Sequence, residues 1–337
     1  MSMPDGPDAL SVAFRVVSFT LLLNAAGIPI FIAAFGHLMP SSVPAVSKLG
    51  WRLAIGALVF VAGHHLLEAA RMAGEMAGVM DPAMQKMSLL SPAGAAFVVR
   101  MLGLVLVAVG LRSAARSPQH AGTASARIAG VSTPGGAPGP SDASGPSDVS
   151  GPSGASGPSG ASGPSGVPRL ALVGTALSII AFTLVGHTTV TPHRLAAAAL
   201  LILHLLAIAF WLGALWPLYL AAETEQPSVA ARAIDAFSAV AAWVVPLILL
   251  AGIGLIAVLV PGLSAFGQPY GQLLLVKVGL FAMLMAMAAL NKWRFGPACA
   301  AGNTAAFERT VVIEYVLICA VLAVTAVLTT FYSPEVA

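Results

Sequence analysis

Long apolar runs constrain the fold of this chain more than any other feature of its sequence. A helix that crosses a bilayer needs about 20 mostly apolar residues. The chain is 58% hydrophobic and only 9% charged, whereas a soluble domain has about 25% charged residues. The sequence therefore predicts an all-α fold, a polytopic membrane helix bundle with eight transmembrane helices in the lipid bilayer. The eight runs are approximately 10–35, 51–79, 93–111, 170–185, 195–220, 236–260, 271–290 and 311–330.

A low-complexity segment separates the first three runs from the last five. Residues 139–168 are five hexapeptides that each begin with Gly-Pro-Ser. Gly/Ser-rich segments of this kind are flexible tethers, and the stretch is too short and too interrupted to favour a collagen helix. We therefore predict an N-terminal membrane region over residues 1–115, a disordered cytoplasmic Gly/Ser/Pro linker over 116–168 and a five-span membrane domain over 169–337.

The distribution of Lys and Arg predicts an orientation. Ten basic residues flank the loops that join runs one and two, three and four, five and six, and seven and eight, and only three flank the other loops. Because basic loops stay in the cytoplasm, both termini are expected on the opposite, outer side. No cleaved signal peptide and no nucleic-acid partner are expected, since no basic segment precedes the first run or carries interleaved aromatic residues.

Several apolar runs contain titratable side chains. The second run carries His64, His65 and Glu68, the fifth carries His204, and the seventh carries Lys277. Ionisable groups at membrane depth are costly, usually face the interior of a bundle and often mark ion pathways. We therefore treat these positions as candidates for function.

A stripe of methionines continues from the second run. At about 100° per residue, His65, Glu68, Met72 and Met76 fall on one helix face. Thioether and imidazole ligands together suit copper, and sulfur favours Cu(I). The competing interpretation is that the methionines only fill gaps in packing. His65 shares the methionine face, so His64 is the better candidate for a packing role. Three further methionines, Met80, Met84 and Met87, follow beside Asp81-Pro82, which resembles the start of a new helix.

Two more histidines flank the turn between the fourth and fifth runs. His187 and His193 lie in the sequence VGHTTVTPHRL, and His204 lies deeper in the fifth run. A neutral imidazole in lipid still requires a hydrogen-bond partner, which makes His204 the stronger metal candidate. Trp211 is interpreted as a packing residue or an interfacial anchor.

Polar residues also occur late in the chain. Glu314 lies near the inner end of the eighth run, where Lys277, Arg309 and Arg294 are alternative partners. There is no GxxxxGK[ST] phosphate loop and no nucleotide-binding domain. We therefore expect that the protein is not an enzyme, and that any transport is passive, coupled to a gradient or driven by a partner.

The second half of the chain resembles the copper-resistance protein D (CopD) membrane proteins over roughly residues 170–335. The first half, with LLEAARMAG and Arg100, is similar but much less specific. The residues that carry the resemblance are VGH at 185–187, ILHLLAIAFWLGALWPL at 202–218, FS at 237–238, PYGQLLLVKVGL at 269–280, ALNKWR at 289–294 and IEYV at 313–316.

The resemblance implies an eight-helix protein of the bacterial inner membrane that takes part in copper uptake or tolerance. It also implies a periplasmic copper-binding partner, the small β-sandwich of the CopC type. The histidines of the family correspond to His187 and His204, and its polar seventh-span residues correspond to Lys277 and Asn291. The methionine stripe is not part of the resemblance.

The leading hypothesis is a copper permease that imports Cu(I) or Cu(II) from the periplasm. Copper would pass from an outer site to a mid-membrane site near His65, Glu68 and His204. The outer site would consist of Met72, Met76, Met80, Met84, Met87, His187 and His193.

Three alternatives remain open from the sequence. Paired histidines on facing helices can ligate haem, so the chain could be an electron-transfer bundle that reduces Cu(II). It could also be a non-transporting copper chaperone or assembly factor that faces the periplasm. In the third alternative, the polar residues only hold helices together in a structural scaffold.

Overall fold

A computed structural model describes residues 6–116, 169–186, 189, 191–260, 262–295, 297–298 and 305–332. The described part of the chain is helical and contains no strand. The predicted linker at 116–168, apart from Arg116, and the candidate ligand His187 lie outside the described residues. The helices are α1 (Gly6–Phe35), α2 (Val43–Ala73), α3 (Pro82–Leu90), α4 (Pro92–Arg116), α5 (Arg169–Ile180), α6 (Arg194–Thr224), α7 (Pro227–Leu259), α8 (Pro269–Leu290) and α9 (Ala305–Phe331).

Seven helices of the described part are long and apolar enough to cross a membrane, namely α1, α2, α4 and α6 to α9. A shorter apolar helix, Arg169–Leu184, consists of α5 and the 3-10 turn that follows it. It occupies the position of the predicted fourth run. The predicted all-helical, multi-pass membrane protein is thus confirmed, whereas the count of eight crossings is not.

The second span ends earlier than its hydropathy predicts. Gly74 has φ +75°, a left-handed conformation that favours glycine and terminates α2 at Ala73. The chain then forms a 3-10 turn over Met76–Met80. Asp81 is the N-cap residue of α3. Its carboxylate accepts a hydrogen bond of 2.8 Å from the backbone N–H of Ala83. The expected continuous helix through residue 79 is therefore wrong, and the helical methionine stripe stops at Met72.

Helix α1 lies at the centre of the bundle. It packs against α2, α5, α6 and α9, and its core residues Ala25, Ala26, Ile28 and Phe31 are fully buried. The helices that precede and follow residues 117–164 belong to one compact unit. The two halves of the chain are therefore packed together around α1.

Small residues permit the closest contact between these halves. A Cβ atom added to Gly27 of α1 would collide with the backbone of Ala209 and Gly213 in α6. Membrane helices approach this closely where small residues line both surfaces. The α1–α6 contact consequently depends on Gly27 and Gly213.

Hydrogen bonds fix the relative direction of the helices. Arg15, near the start of α1, bonds with His64, near the end of α2, and with Thr330, at the end of α9. These three helix ends therefore lie at the same side of the bundle. We call this side the outer end, following the orientation predicted from the basic loops, and the opposite side the inner end.

Candidate functional site

A network of charged side chains joins α1 and α2 at the outer end, and Arg15 also bonds to Thr330 of α9. We call Asp8, Arg15, His64, Glu68 and Arg71 the outer cluster. One carboxylate oxygen of Glu68 lies 3.3 Å from Nη2 of Arg15, and the other lies 3.3 Å from Nη1 of Arg71. Arg71 also donates from Nε to Asp8 at 3.0 Å. Glu68 is thus held between two guanidinium groups, which balance its charge.

His64 is engaged through both of its ring nitrogens. Arg15 donates from Nε to Nε2 of His64 at 3.3 Å, and a guanidinium group can only donate. Nε2 must therefore be the unprotonated nitrogen, and Nδ1 lies 3.5 Å from the hydroxyl of Ser11. A metal ion could reach this imidazole only after Arg15 moves away.

His65 points to a different helix. Its ring is 8% exposed and stacks on Phe97 of α4, with 4.1 Å between centroids and 6° between planes. The expectation that His65 rather than His64 accompanies Glu68 is wrong, because Nε2 of His64 lies 3.3 Å from a carboxylate oxygen of Glu68, whereas the His65 ring stacks on Phe97. His65 has the packing environment that was expected for His64.

The outer methionines are accessible in the structure. Met80 is 86% exposed, Met72, Met76 and Met87 are also exposed, and Met84 is partly buried. All except Met72 lie beyond the outer end of α2, on the 3-10 turn or on α3. Exposed thioethers at this position are available to a soft metal ion, whereas buried ones would be packing residues.

His204 of α6 lies against α7. Its Nδ1 is 3.0 Å from the carbonyl oxygen of Ile248. A carbonyl only accepts, so Nδ1 carries the proton and Nε2 presents its lone pair. The ring lies beside Gly252 of α7, where an added Cβ atom would make an ordinary contact of 3.5 Å with Cε1 of His204. Lys277 of α8 is near enough to exert an electrostatic effect on the imidazole.

The described residues do not bring the predicted histidine and carboxylate ligands together into one group. No three His, Cys, Asp or Glu side chains within them are close enough to hold a metal ion. His65 and Glu68 do not form such a group with His204, and His193 is exposed at the residue before α6. The described histidines and Glu68 therefore do not form one metal site of three such ligands.

A third polar group lies at the inner end. Glu314 of α9 is 3% exposed, and its Oε1 accepts a hydrogen bond of 2.6 Å from Nδ2 of Asn291. Thr310 donates to the amide oxygen of Asn291, and Trp211 contributes a further side-chain interaction with the carboxyl group. Among the described residues, Glu314 forms no ion pair, so the expected pairing with Lys277, Arg309 or Arg294 is wrong. We call Trp211, Asn291, Thr310 and Glu314 the inner cluster.

Sequence reasoning did not treat Arg15 or Arg100 as candidates for function. Arg15 interrupts the first apolar run and organises the outer cluster. Arg100 in α4 lies over the ring of Phe182 at 4.3 Å, and its buried Nε has no hydrogen-bond partner in the described part of the chain. Both residues could have been recognised from the sequence, because a charged residue within an apolar run often marks a functional position.

Comparison with known proteins supplies the family. The family model of the copper resistance protein D-like N-terminal domain matches residues 3–137, and that of copper resistance protein D matches residues 231–328. No curated protein and no solved structure gave a significant match. The two family matches together cover more than half of the chain and occur in the order expected from the motifs. The chain belongs to the copper resistance protein D family.

Proposed function

We propose that this protein carries copper across the bacterial inner membrane, importing it from the periplasm, with both termini on the periplasmic side. Membership of the family implies a function related to copper resistance or transport. The observation that carries the finer proposal is the hydrogen bond between His204 Nδ1 and the Ile248 carbonyl oxygen.

This hydrogen bond prepares His204 for a metal ion. Metal-ligating histidines commonly donate the second ring N–H to a carbonyl or carboxylate, which fixes the tautomer and the ring orientation. No other described residue forms a hydrogen bond with Nε2 of His204. Imidazole suits copper in either oxidation state. The Nε2 atom of His204 lies partly buried within a membrane helix and has its lone pair available, so it fits a copper-transfer step.

The exposed methionines fit the step before copper reaches His204. Soft thioethers select Cu(I), and conduction requires sites that bind an ion weakly enough to release it. In this proposal, Met76, Met80, Met84 and Met87 receive copper at the outer end, together with His193 at the residue before α6 and His187 six residues earlier in the sequence. A periplasmic CopC-like protein is the proposed donor of copper to this surface.

The outer cluster would then control passage. The guanidinium groups of Arg15 and Arg71 lie next to Glu68 and repel a cation until one of them moves. When Arg15 moves, Nε2 of His64 and one oxygen of Glu68 become available as ligands. We therefore place His64 and Glu68 after the methionines along the path, with His65 as a neighbour that supports α4.

Copper flux into vesicles tests the proposal. Purified protein in proteoliposomes is supplied with copper, and entry is followed with a copper-sensitive dye inside the vesicles. We expect His204→Ala to reduce flux at least about tenfold, the scale of losing one metal ligand or its support. His37→Ala is the matched control, since His37 is exposed and belongs to no candidate site.

The outcomes separate this function from its alternatives. Equal flux in wild type and His204→Ala would remove His204 from the path, and absence of flux in wild type would overturn copper transport itself. Copper binding without flux would instead indicate a chaperone. No observation in the described residues favours the haem-binding alternative.

A further inference from the structure

Glu314 is a buried carboxyl group that the copper path does not use. It is 3% exposed, and its strongest contact is the 2.6 Å hydrogen bond from Asn291. A buried charge is costly unless a counter-ion or several hydrogen bonds compensate it. Since the amide and indole partners are neutral, a proton is the simplest species that can balance this carboxylate.

No cation on the surrounding elements replaces that proton. Helix α9 packs against α1, α6, α8 and the π-helical turn Asn291–Phe295. The basic residues Lys292, Arg294 and Arg309 are exposed, and Lys277 and Arg15 lie towards the outer ends of their helices. The other titratable side chains of these elements near the inner end are Tyr219 and Glu223 of α6 and Glu308 and Tyr315 of α9. None of these groups forms a hydrogen bond or ion pair with Glu314 in the described part of the chain.

Polar side chains lie along the contact between α1 and α9, from Tyr315, the residue after Glu314, towards the outer end. Asn24 donates to the hydroxyl of Tyr315 at 3.3 Å, and its buried Oδ1 has no hydrogen-bond partner among the described residues. Further out, Thr20 interacts with Cys319. Arg15 donates to Thr330 at 2.9 Å. We call these six residues the polar seam: Tyr315, Asn24, Cys319, Thr20, Thr330 and Arg15.

The geometry points to a proton-binding site. We propose that Glu314 takes up and releases a proton during the transport cycle, that the polar seam is its route to the outer end, and that copper movement is thereby coupled to proton movement. One proton binds a carboxylate oxygen to give the neutral acid and later leaves it, with no other bond made or broken. The coupling rests on the proposed copper transport, whereas proton binding at Glu314 does not.

Infrared difference spectroscopy over a pH series tests proton binding without copper. We expect a carboxylic-acid C=O band that titrates in the wild type, shifts in Glu314→Asp and is absent in Glu314→Gln. Glu308→Gln is the matched control, since Glu308 lies on the same helix outside the inner cluster, and it should retain the band. The proposal would be overturned if wild type and Glu314→Gln gave identical spectra, or if the band were absent from both.

A transport assay tests the coupling. Proteoliposomes that contain a pH-sensitive dye are supplied with copper, and copper and proton movement are recorded together. We expect copper-dependent proton movement in wild type and Glu308→Gln, and its loss in Glu314→Gln. Copper flux without proton movement in wild type, or intact coupling in Glu314→Gln, would contradict the coupling but leave copper transport standing. Absence of copper flux in wild type would instead contradict the proposed function, and the infrared result would decide the proton site alone.

Discussion

Arg15 shows how one side chain sets the state of several others. It lies in an otherwise apolar part of α1, yet it donates hydrogen bonds to His64, Glu68 and Thr330. In the proposed function, its positive charge keeps a copper ion away from His64 and Glu68 until Arg15 moves. At this scale, the question is whether the outer cluster is a closed entrance or a permanent structural network.

Substitution of Arg15 answers that question. Arg15→Gln removes a positive charge at contact distance and frees Nε2 of His64, so we expect copper to bind the purified protein at least about tenfold more tightly. The measurement is a copper titration against a competing chelator. Arg52→Gln is the control, because Arg52 is an exposed basic residue of α2 near the inner end. Unchanged or weaker affinity in Arg15→Gln would indicate a purely structural network.

The candidate residues could be recognised from the sequence, but the side chains that they contact could not. Helical spacing correctly placed Glu68 near a histidine, yet which of His64 and His65 it meets depends on how α2 is rotated against α1 and α4. Similarly, Glu314 was correctly recognised as needing a partner, but Asn291 rather than a basic residue supplies it. These outcomes depend on contacts between distant parts of the chain, which hydrophobic periodicity does not specify.

At the scale of single elements, a carboxylate from one half of the chain stabilises the start of a helix in the other half. Glu225, which follows α6, accepts hydrogen bonds from the backbone N–H and hydroxyl of Ser42 at 2.9 and 2.7 Å. Ser42 is the N-cap residue of α2. A negative charge at a helix N-terminus is favourable, because it satisfies unpaired N–H groups and opposes the helix dipole.

Loss of this carboxylate should destabilise the bundle measurably. We expect Glu225→Ala to lower the free energy of unfolding by about 1–3 kcal/mol, the typical cost of leaving partly buried donors without a charged acceptor. Thermal unfolding in detergent, followed by circular dichroism, provides the measurement. Glu223→Ala, which changes an exposed carboxylate two residues earlier, should have little effect. Equal stability of the two variants would show that the contact contributes nothing.

Helix existence was predictable because each span needs a long apolar segment. Helices α1, α4 and α6 to α9 overlap the predicted runs, although α7 begins nine residues and α9 six residues before them. The end of α2 was not predicted, since hydropathy continues beyond the point at which Gly74 adopts a left-handed conformation. The glycine was visible in the sequence, but apolar residues on both sides hid its effect. For the same reason, Met76 and Met80 could not be placed on their 3-10 turn.

At the scale of the whole molecule, α1 joins helices from both halves of the chain. The sequence indicated two membrane regions separated by a low-complexity segment, and nothing in its pattern showed that α1 and α6 pack against each other. The family resemblance was recognised mainly from the second half, whereas the comparisons also match the first half. The close approach of Gly27 and Gly213 depends on two small residues that are unremarkable in a glycine-rich sequence.

Enlarging one of these glycines should separate the halves. Gly213→Val would place side-chain atoms against the backbone of Gly27, and overpacking of this kind costs about 1–3 kcal/mol or more. We expect a lower unfolding temperature and lower yield of folded protein in detergent. Gly279→Val is the control, because a Cβ atom at Gly279 of α8 would meet nothing within 4 Å. A Gly213→Val protein as stable as the control would show that the contact can adjust.

The central position of α1 has a consequence for biogenesis. Arg15 and Asn24 form hydrogen bonds with Thr330 and Tyr315, which lie 315 and 291 residues later in the chain. During synthesis, both side chains enter the membrane long before these partners leave the ribosome. Polar groups in lipid without partners are costly, so the first helix must be sheltered, by the insertion machinery or by α2, until the final helix arrives. The centre of this bundle is therefore completed last.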